Sequence, residues 1–275
     1  MTILAHISDL HFGRENPQLV EVLLQSLDAI QPQLVIISGD LTQRARTREF
    51  LAARRFLDRL RSPFLVISGN HDIPAYNLAE RFFNPWKKWH RYLGLALEPI
   101  MHDKNYIAMG VNTTRRSSSL VDWSRGRINS AQVRAIAEYF DEADQEQKLR
   151  VLVIHHPFWL PEKYRHRHTI GGKDMAFGMM KEAGVDIILG GHIHIAYTRV
   201  LKGLIISHAG TAISNRLIED YRNSFKVIRG DRKELTVETW EYNSTRFGVT
   251  EQQNFKRVQE QWMENDQELS SRQTP

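Results

Sequence analysis

The 275 residues contain no cysteine. That excludes a disulfide framework, a thiolate zinc site and a thiol nucleophile together. Long apolar runs are missing too, and nothing approaches the roughly 20 residues that a membrane-spanning helix needs. No block of five or six successive basic residues marks a nucleic-acid tail, and there is no internal repeat or low-complexity tract. Met1 to Asp9 lacks a basic stretch leading into an apolar one and soon meets charge, unlike a signal peptide. These absences predict a soluble, cytoplasmic chain.

What is present has a globular balance, with 41% hydrophobic and 25% charged residues. The length suits one α/β domain with a modest insertion. Net charge is +5. Segments 73–105, 113–129 and 158–173 are rich in Lys and Arg, and together exceed that net charge. If they converge they form an anion-attracting rim; otherwise they are solvated loops.

Short apolar runs alternate with helical patterns. Strands are predicted near 3–7, 34–37, 64–67, 106–111, 151–154, 185–189, 197–200, 204–208, 224–229 and 235–241. Helices are predicted around 19–30, 50–60, 130–143 and 174–183. Alternating units of this kind imply an α/β core with right-handed crossovers. The later strands, joined by short turns such as Lys202-Gly203, suggest antiparallel completion of two packed sheets. Residues 246–275 read as a polar tail, partly helical, in which Phe255, Val258 and Trp262 dock one helix face. Beyond Leu269 the end is expected to fray.

Five strands deliver polar residues to their carboxyl ends, where open α/β sheets place ligand sites. They end in Asp9-Leu10-His11, Gly39-Asp40, Gly69-Asn70-His71-Asp72, His155-His156 and Gly191-His192-Ile193-His194. In Asp9-x-His11 and His192-x-His194, alternation by two sends both side chains to one side of an extended segment. Carboxylate, imidazole and amide oxygen suit Mn, Fe, Zn, Co or Ni. Seven such ligands are enough for two ions that share one carboxylate. The glycines let the backbone turn sharply beside a metal or phosphate.

This ordered series resembles the calcineurin-like metallophosphoesterase superfamily over residues 9–194. The resemblance implies a four-layer α/β/β/α sandwich, of two mixed sheets flanked by helices, for residues 1–245. It also implies two divalent or trivalent transition-metal ions. Asp9, His11, Asp40 and His194 would hold one; Asp40, Asn70, His155 and His192 the other. The implied reaction is hydrolysis of a phosphoric ester by a metal-bound hydroxide.

His71 is the expected proton or hydrogen-bond donor to the leaving group, with Asp72 expected on its other ring nitrogen. Asn70, His71, Arg115 and His156 are candidate substrate contacts, while His208 reads as structural. Asp-Leu-His, Gly-Asp-Leu-Thr and Gly-Asn-His-Asp look like bacterial class III cyclic nucleotide phosphodiesterases. A cyclic nucleotide or other small phosphodiester is therefore the expected substrate. A lipid-pathway pyrophosphatase resembling UDP-2,3-diacylglucosamine hydrolase is the alternative. A nuclease would want a broader basic surface. The insertion at 73–105 interleaves Tyr76, Phe82, Phe83, Trp86, Trp89 and Tyr92 with Arg81, Lys87, Lys88 and Arg91. It reads as a small helical cap, an anchor on the domain, a peripheral membrane contact or a homodimer contact.

Overall fold

The computed structural model describes residues 1–116, 124–141, 147–218 and 220–265. Strands β1 (Thr2–Ile7), β2 (Leu34–Ile37) and β3 (Phe64–Val66) run parallel, connected through α1 (Pro17–Ile30) and α2 (Thr47–Leu57). α3 (Leu78–Phe83) and β4 (Ile100–His102) follow. A second parallel set comprises β5 (Tyr106–Gly110), β6 (Leu149–Val153) and β7 (Ile187–Gly190), with α4 (Ser130–Phe140) and α5 (Lys173–Glu182) between its members. β8 (Tyr197–Leu201) and β9 (Leu204–His208) form a hairpin whose second strand pairs parallel with β7. β10 (Ser224–Gly230), β11 (Glu234–Tyr242), β12 (Phe247–Val258) and β13 (Gln261–Glu264) then extend the first sheet as an antiparallel meander.

The two sheets have the orders β13-β12-β11-β10-β1-β2-β3 and β4-β5-β6-β7-β9-β8. One apolar layer lies between them, built from Leu4, Ile36, Leu65, Val151, Ile187 and their neighbours. A second joins the first sheet to α1 and α2, and a third joins the other sheet to α4 and α5. This is the expected four-layer α/β/β/α sandwich. The sequence explains the layering: β2 is apolar throughout, and β6 is apolar apart from Arg150, because both faces are covered. Helix α1 starts where Asn16 accepts a hydrogen bond from the Gln18 amide and Pro17 fills the first turn. Leu19, Leu23, Leu24 and Leu27 then face the sheet, and left-handed Gln31 ends the helix.

The insertion divides in two. Trp89 is fully buried, and with Trp86, Tyr92 and Leu93 it joins the layer beneath α2. Arg54 of α2 donates to the Leu93 carbonyl at 3.2 Å, and Tyr92 stacks on Phe50. That half is an anchor. The other half reaches the strand-end edge: Arg81, only 2% exposed, donates to the carbonyls of Pro74, Arg115 and Arg116.

The helical C-terminal tail is corrected. Phe247–Val258 and Gln261–Glu264 are strands, and β12 pairs with β11 across the boundary placed at 245. Spacings of three and four fit a helix, but Gln259 and Glu260 both adopt left-handed backbone and form a tight hairpin turn. The turn folds Phe255 and Trp262 onto the same inter-sheet layer, leaving Val258 exposed near its tip. The helix expected to reach 143 is described as far as Phe140. Residues 266–275, including those beyond Leu269, lie outside the described residues. No helix among the described residues is long and apolar enough to cross a membrane.

Trp262 is 1% exposed, and its indole N–H donates to buried Asp186 at 3.1 Å. Trp262→Ala is expected to cost about 3–5 kcal/mol in urea unfolding of the metal-free protein. A loss within about 0.5 kcal/mol, the range of ordinary surface substitutions, would show that the final hairpin is not part of the core.

Candidate metal centre

Parallel strands of both sheets end at one edge, and the first turns beyond them carry the candidate ligands. Asp9 and His11 follow β1, Asp40 follows β2, and Asn70 follows β3. His155 follows β6, while His192 and His194 follow β7. Five of the seven, Asp9, His11, Asp40, His192 and His194, have φ between 46° and 75°. Left-handed backbone is uncommon outside glycine, although Asp and His tolerate it better than bulkier residues. Here it turns side chains inward immediately after a strand. Glycine makes room: a Cβ on Gly191 would lie 1.9 Å from Ser8 Oγ and 2.5 Å from Asp9 Oδ2.

Each carboxylate is tied at one oxygen and turns the other toward imidazoles. Asp9 Oδ2 accepts from Ser8 Oγ at 2.7 Å and the His192 amide at 2.9 Å. Its buried Oδ1 has no hydrogen-bond partner and lies 3.2 Å from His194 Nε2. Asp40 Oδ1 accepts from the His71 amide at 2.8 Å. Its Oδ2 stands between His155 Nε2 at 3.4 Å and His11 Nε2 at 3.7 Å.

The imidazoles are wired equally clearly. His155 Nδ1 donates to the Ser38 carbonyl at 2.8 Å, and His194 Nδ1 donates to the Arg216 carbonyl at 2.7 Å. Both Nε2 atoms are thereby aimed inward at the cluster. His194 Nε2 lies 3.0 Å from His11 Nε2. Asn70 Oδ1 lies 2.9 Å from His192 Nδ1 and 3.2 Å from His155 Nε2. Among the described residues Asp9, His11 and His194 form one compact group, Asp9, Asp40 and His155 a second, and His155, His156 and His192 a third. The unpartnered carboxylate oxygen, converging ring nitrogens and O/N donor set fit transition-metal ions.

Residues 3–196 match the family described as calcineurin-like phosphoesterase. The chain belongs to that family. A glycerophosphodiester phosphodiesterase GpdQ from Enterobacter lignolyticus is 38% identical over 84 residues, which are 26% of this chain and 30% of that protein. A probable glycerophosphodiester phosphodiesterase GpdQ from Arcobacter nitrofigilis is 27% identical over 204 residues, 72% of this chain and 69% of that one. The first match thus spans less than a third of its relative. A dimetal phosphatase from Danio rerio shares the fold at TM-score 0.66 and 11% identity, covering 94% of this chain and 99% of that one. The family is one of phosphoesterases, and the carboxylates and imidazoles gathered here could hold metal ions.

In this phosphoesterase the seven candidate ligands come together, but Asp72 does not play the part expected of it. The His71 ring donates from Nδ1 to the Gln43 carbonyl at 2.8 Å. Asp72 instead accepts from the Leu41 and Thr42 amides, the Thr42 hydroxyl and the Gly69 amide. Adjacent residues of a tight 3₁₀ turn point in different directions, so Asp72 clamps the β2 and β3 loops together and leaves the ring alone.

A cavity of about 500 Å³ opens over the centre, lined by Asn70, His71, Arg167, His192, Arg216 and neighbouring side chains. Arg115 and His156 do not line it. His156 is buried behind the ligands, beside Thr113 Oγ1 at 2.7 Å, and its ring centroid lies 4.7 Å from that of His192. His208 is also buried, donating to the Gly191 carbonyl at 3.0 Å. Sequence reasoning missed Arg216 and Arg167, and gave no weight to His166 and His168, which share the cavity wall. Arg216 Nη1 lies 3.2 Å from both His11 Nε2 and His71 Nε2. It sits outside any regular element, so no periodicity points to it.

Burial pushes His11 down to about 4 and His192 down to about 3, which keeps both neutral and ready to ligate. At His155 burial acts in the same direction, but the charge and hydrogen bond of Asp40, with Asp9 and the Ser38 carbonyl, together outweigh it and raise the group to about 9. Without metal, His155 therefore holds a proton at neutral pH. A metal ion must displace that proton, so apparent affinity should rise with pH and level off near 9. Mn(II) titration calorimetry in buffers of different ionisation enthalpy counts the released proton. Affinity independent of pH, with no proton released, would contradict this electrostatic account.

Proposed function

We propose that the protein is a dinuclear phosphodiesterase acting on a small polar phosphodiester of the glycerophosphodiester or cyclic nucleotide class. The observation that carries this reading is the ligand set opening directly onto a polar cavity walled by His71 and Arg216. The cavity is larger than inorganic phosphate needs and has room for an ester substituent. The relatives named as glycerophosphodiester phosphodiesterases support the diester choice. For the acyl-substrate alternative, Trp86, Trp89 and Tyr92 of the insertion are spent on packing under α2, while Tyr76, Leu78 and Phe83 are exposed on its surface.

Asp9, His11, Asp40 and His194 would hold one ion, and Asp40, Asn70, His155 and His192 the other. When bound, ions of the Mn, Fe, Zn, Co or Ni type supply Lewis-acid charge to phosphate oxygens and acidify water. The chain's own residues do the rest. The Gln43 carbonyl fixes the His71 ring so that Nε2 faces the cavity. From there Nε2, which Arg216 Nη1 faces at 3.2 Å, would pass a hydrogen bond or proton to the departing ester oxygen once that guanidinium turns to substrate. Arg216 presents its guanidinium beside His71 and His11, where it offers N–H donors to a non-bridging oxygen. Arg167 is held by the Ile193 carbonyl at 3.1 Å and adds positive charge to the wall.

Diester hydrolysis should exceed monoester hydrolysis when Mn-loaded protein is assayed on a glycerophosphodiester, a cyclic nucleotide, bis(4-nitrophenyl) phosphate and 4-nitrophenyl phosphate. His71→Ala should lower kcat on the alkyl diester by about 10²–10⁴. It should act less on the nitrophenyl diester, whose leaving group needs little protonation, and metal content should stay unchanged. A preferred monoester would overturn the substrate reading. Loss of metal in His71→Ala would overturn the role given to His71.

A further inference from the structure

Three polar residues stand side by side between the sheets, behind the metal centre. β1 sends Leu4, His6 and then Ser8 inward, and β2 sends Leu34, Ile36 and then Ser38 inward. His6, Ser8 and Ser38 are all fully buried. Burying polar groups in such a layer is unfavourable unless each finds a hydrogen bond. Apolar residues continuing the β1 and β2 pattern would pack here without that cost.

The three form a single directed chain. Ser8 Oγ donates to Asp9 Oδ2 at 2.7 Å. Ser38 Oγ donates to Ser8 Oγ at 2.9 Å. Ser38 has then used its only proton, so His6 Nε2, 2.8 Å away, must be the donor to it. His6 Nδ1 has no hydrogen-bond partner, so no acceptor there competes for the ring proton. Burial, aided by His208 and Lys226, pushes His6 down to about 3 and keeps it neutral. Each proton therefore points toward Asp9, and the chain ends on the oxygen that does not face the other ligands.

We propose that His6 and Ser38, acting through Ser8, are positioning residues that hold the Asp9 carboxylate with Oδ1 presented to metal. The chain fixes the torsion of a ligand whose backbone is already left-handed, and it polarises the carboxylate from behind. It is specific to one side of the centre. Its side-chain links end on Asp9, which lies with His11 and His194; His192 meets that end only through its backbone amide, which donates to Asp9 Oδ2 at 2.9 Å. The inference rests on Asp9 being a metal ligand, and is independent of which ester is cleaved.

The test is Mn(II) binding to metal-depleted full-length protein, followed by electron paramagnetic resonance and titration, alongside metal-free thermal melting. Ser38→Ala and His6→Leu should weaken one of the two Mn sites by about 10–100-fold and spare the other. His6→Gln retains an N–H donor and should restore the affinity lost in His6→Leu. Wild-type affinity at both sites in Ser38→Ala and His6→Leu would overturn the proposal. So would equal weakening of both sites in step with a lower metal-free Tm and no rescue by Gln. Failure of the wild type to bind two Mn ions would instead overturn the reading of the metal centre itself.

Discussion

Carboxylate and imidazole atoms crowd together at the strand-end edge in an arrangement that favours positive charge among them. His11 Nε2 and His194 Nε2 are 3.0 Å apart, and Asp9 Oδ1 is buried beside them without a hydrogen bond. Asp40 Oδ2 faces imidazoles from two directions. In the metal-free protein this demand is met in part by the proton that Asp40 stabilises on His155. Two cations would meet it fully, and with them comes the charge that phosphate chemistry needs.

Such a cluster persists only if its surroundings hold it in place. The two sheets supply the frame, since β1, β2, β3, β6 and β7 all deliver their turns to one edge. Left-handed backbone at five ligands is tolerated because each turn is hydrogen-bonded on several sides. Asp9 is restrained by the Ser8 hydroxyl and the His192 amide, and Asp40 by the His71 amide. Asp72 joins two of the turns into one unit. Packing and catalysis therefore meet in the same few residues, and stability lost there is also geometry lost at the metal.

Much of this was legible in the sequence, because short apolar runs ending in Asp, His or Asn leave little freedom of interpretation. The seven candidate ligands and the sandwich emerge from those runs and from the family they resemble. What escaped depends on contacts between distant segments. Phe255 and Trp262 show spacing that a helix and a hairpin satisfy equally, and the left-handed pair Gln259-Glu260 decides for the hairpin. Asp72 sits next to His71 in sequence but faces Thr42 in space. Arg216 reaches the site from an irregular loop after β9, where no period marks it. His6 and Ser38 look like ordinary strand residues until the pairing of β1 with β2 brings them together.

The central claim is that the seven ligands hold two ions joined through Asp40. Crystallography of the Mn-loaded protein, with anomalous scattering to locate the metal, tests it most directly. The account predicts two Mn ions with Asp40 Oδ2 bound to both, Asp9 on one ion and Asn70 on the other. A single ion, or two ions that do not share Asp40, would contradict it.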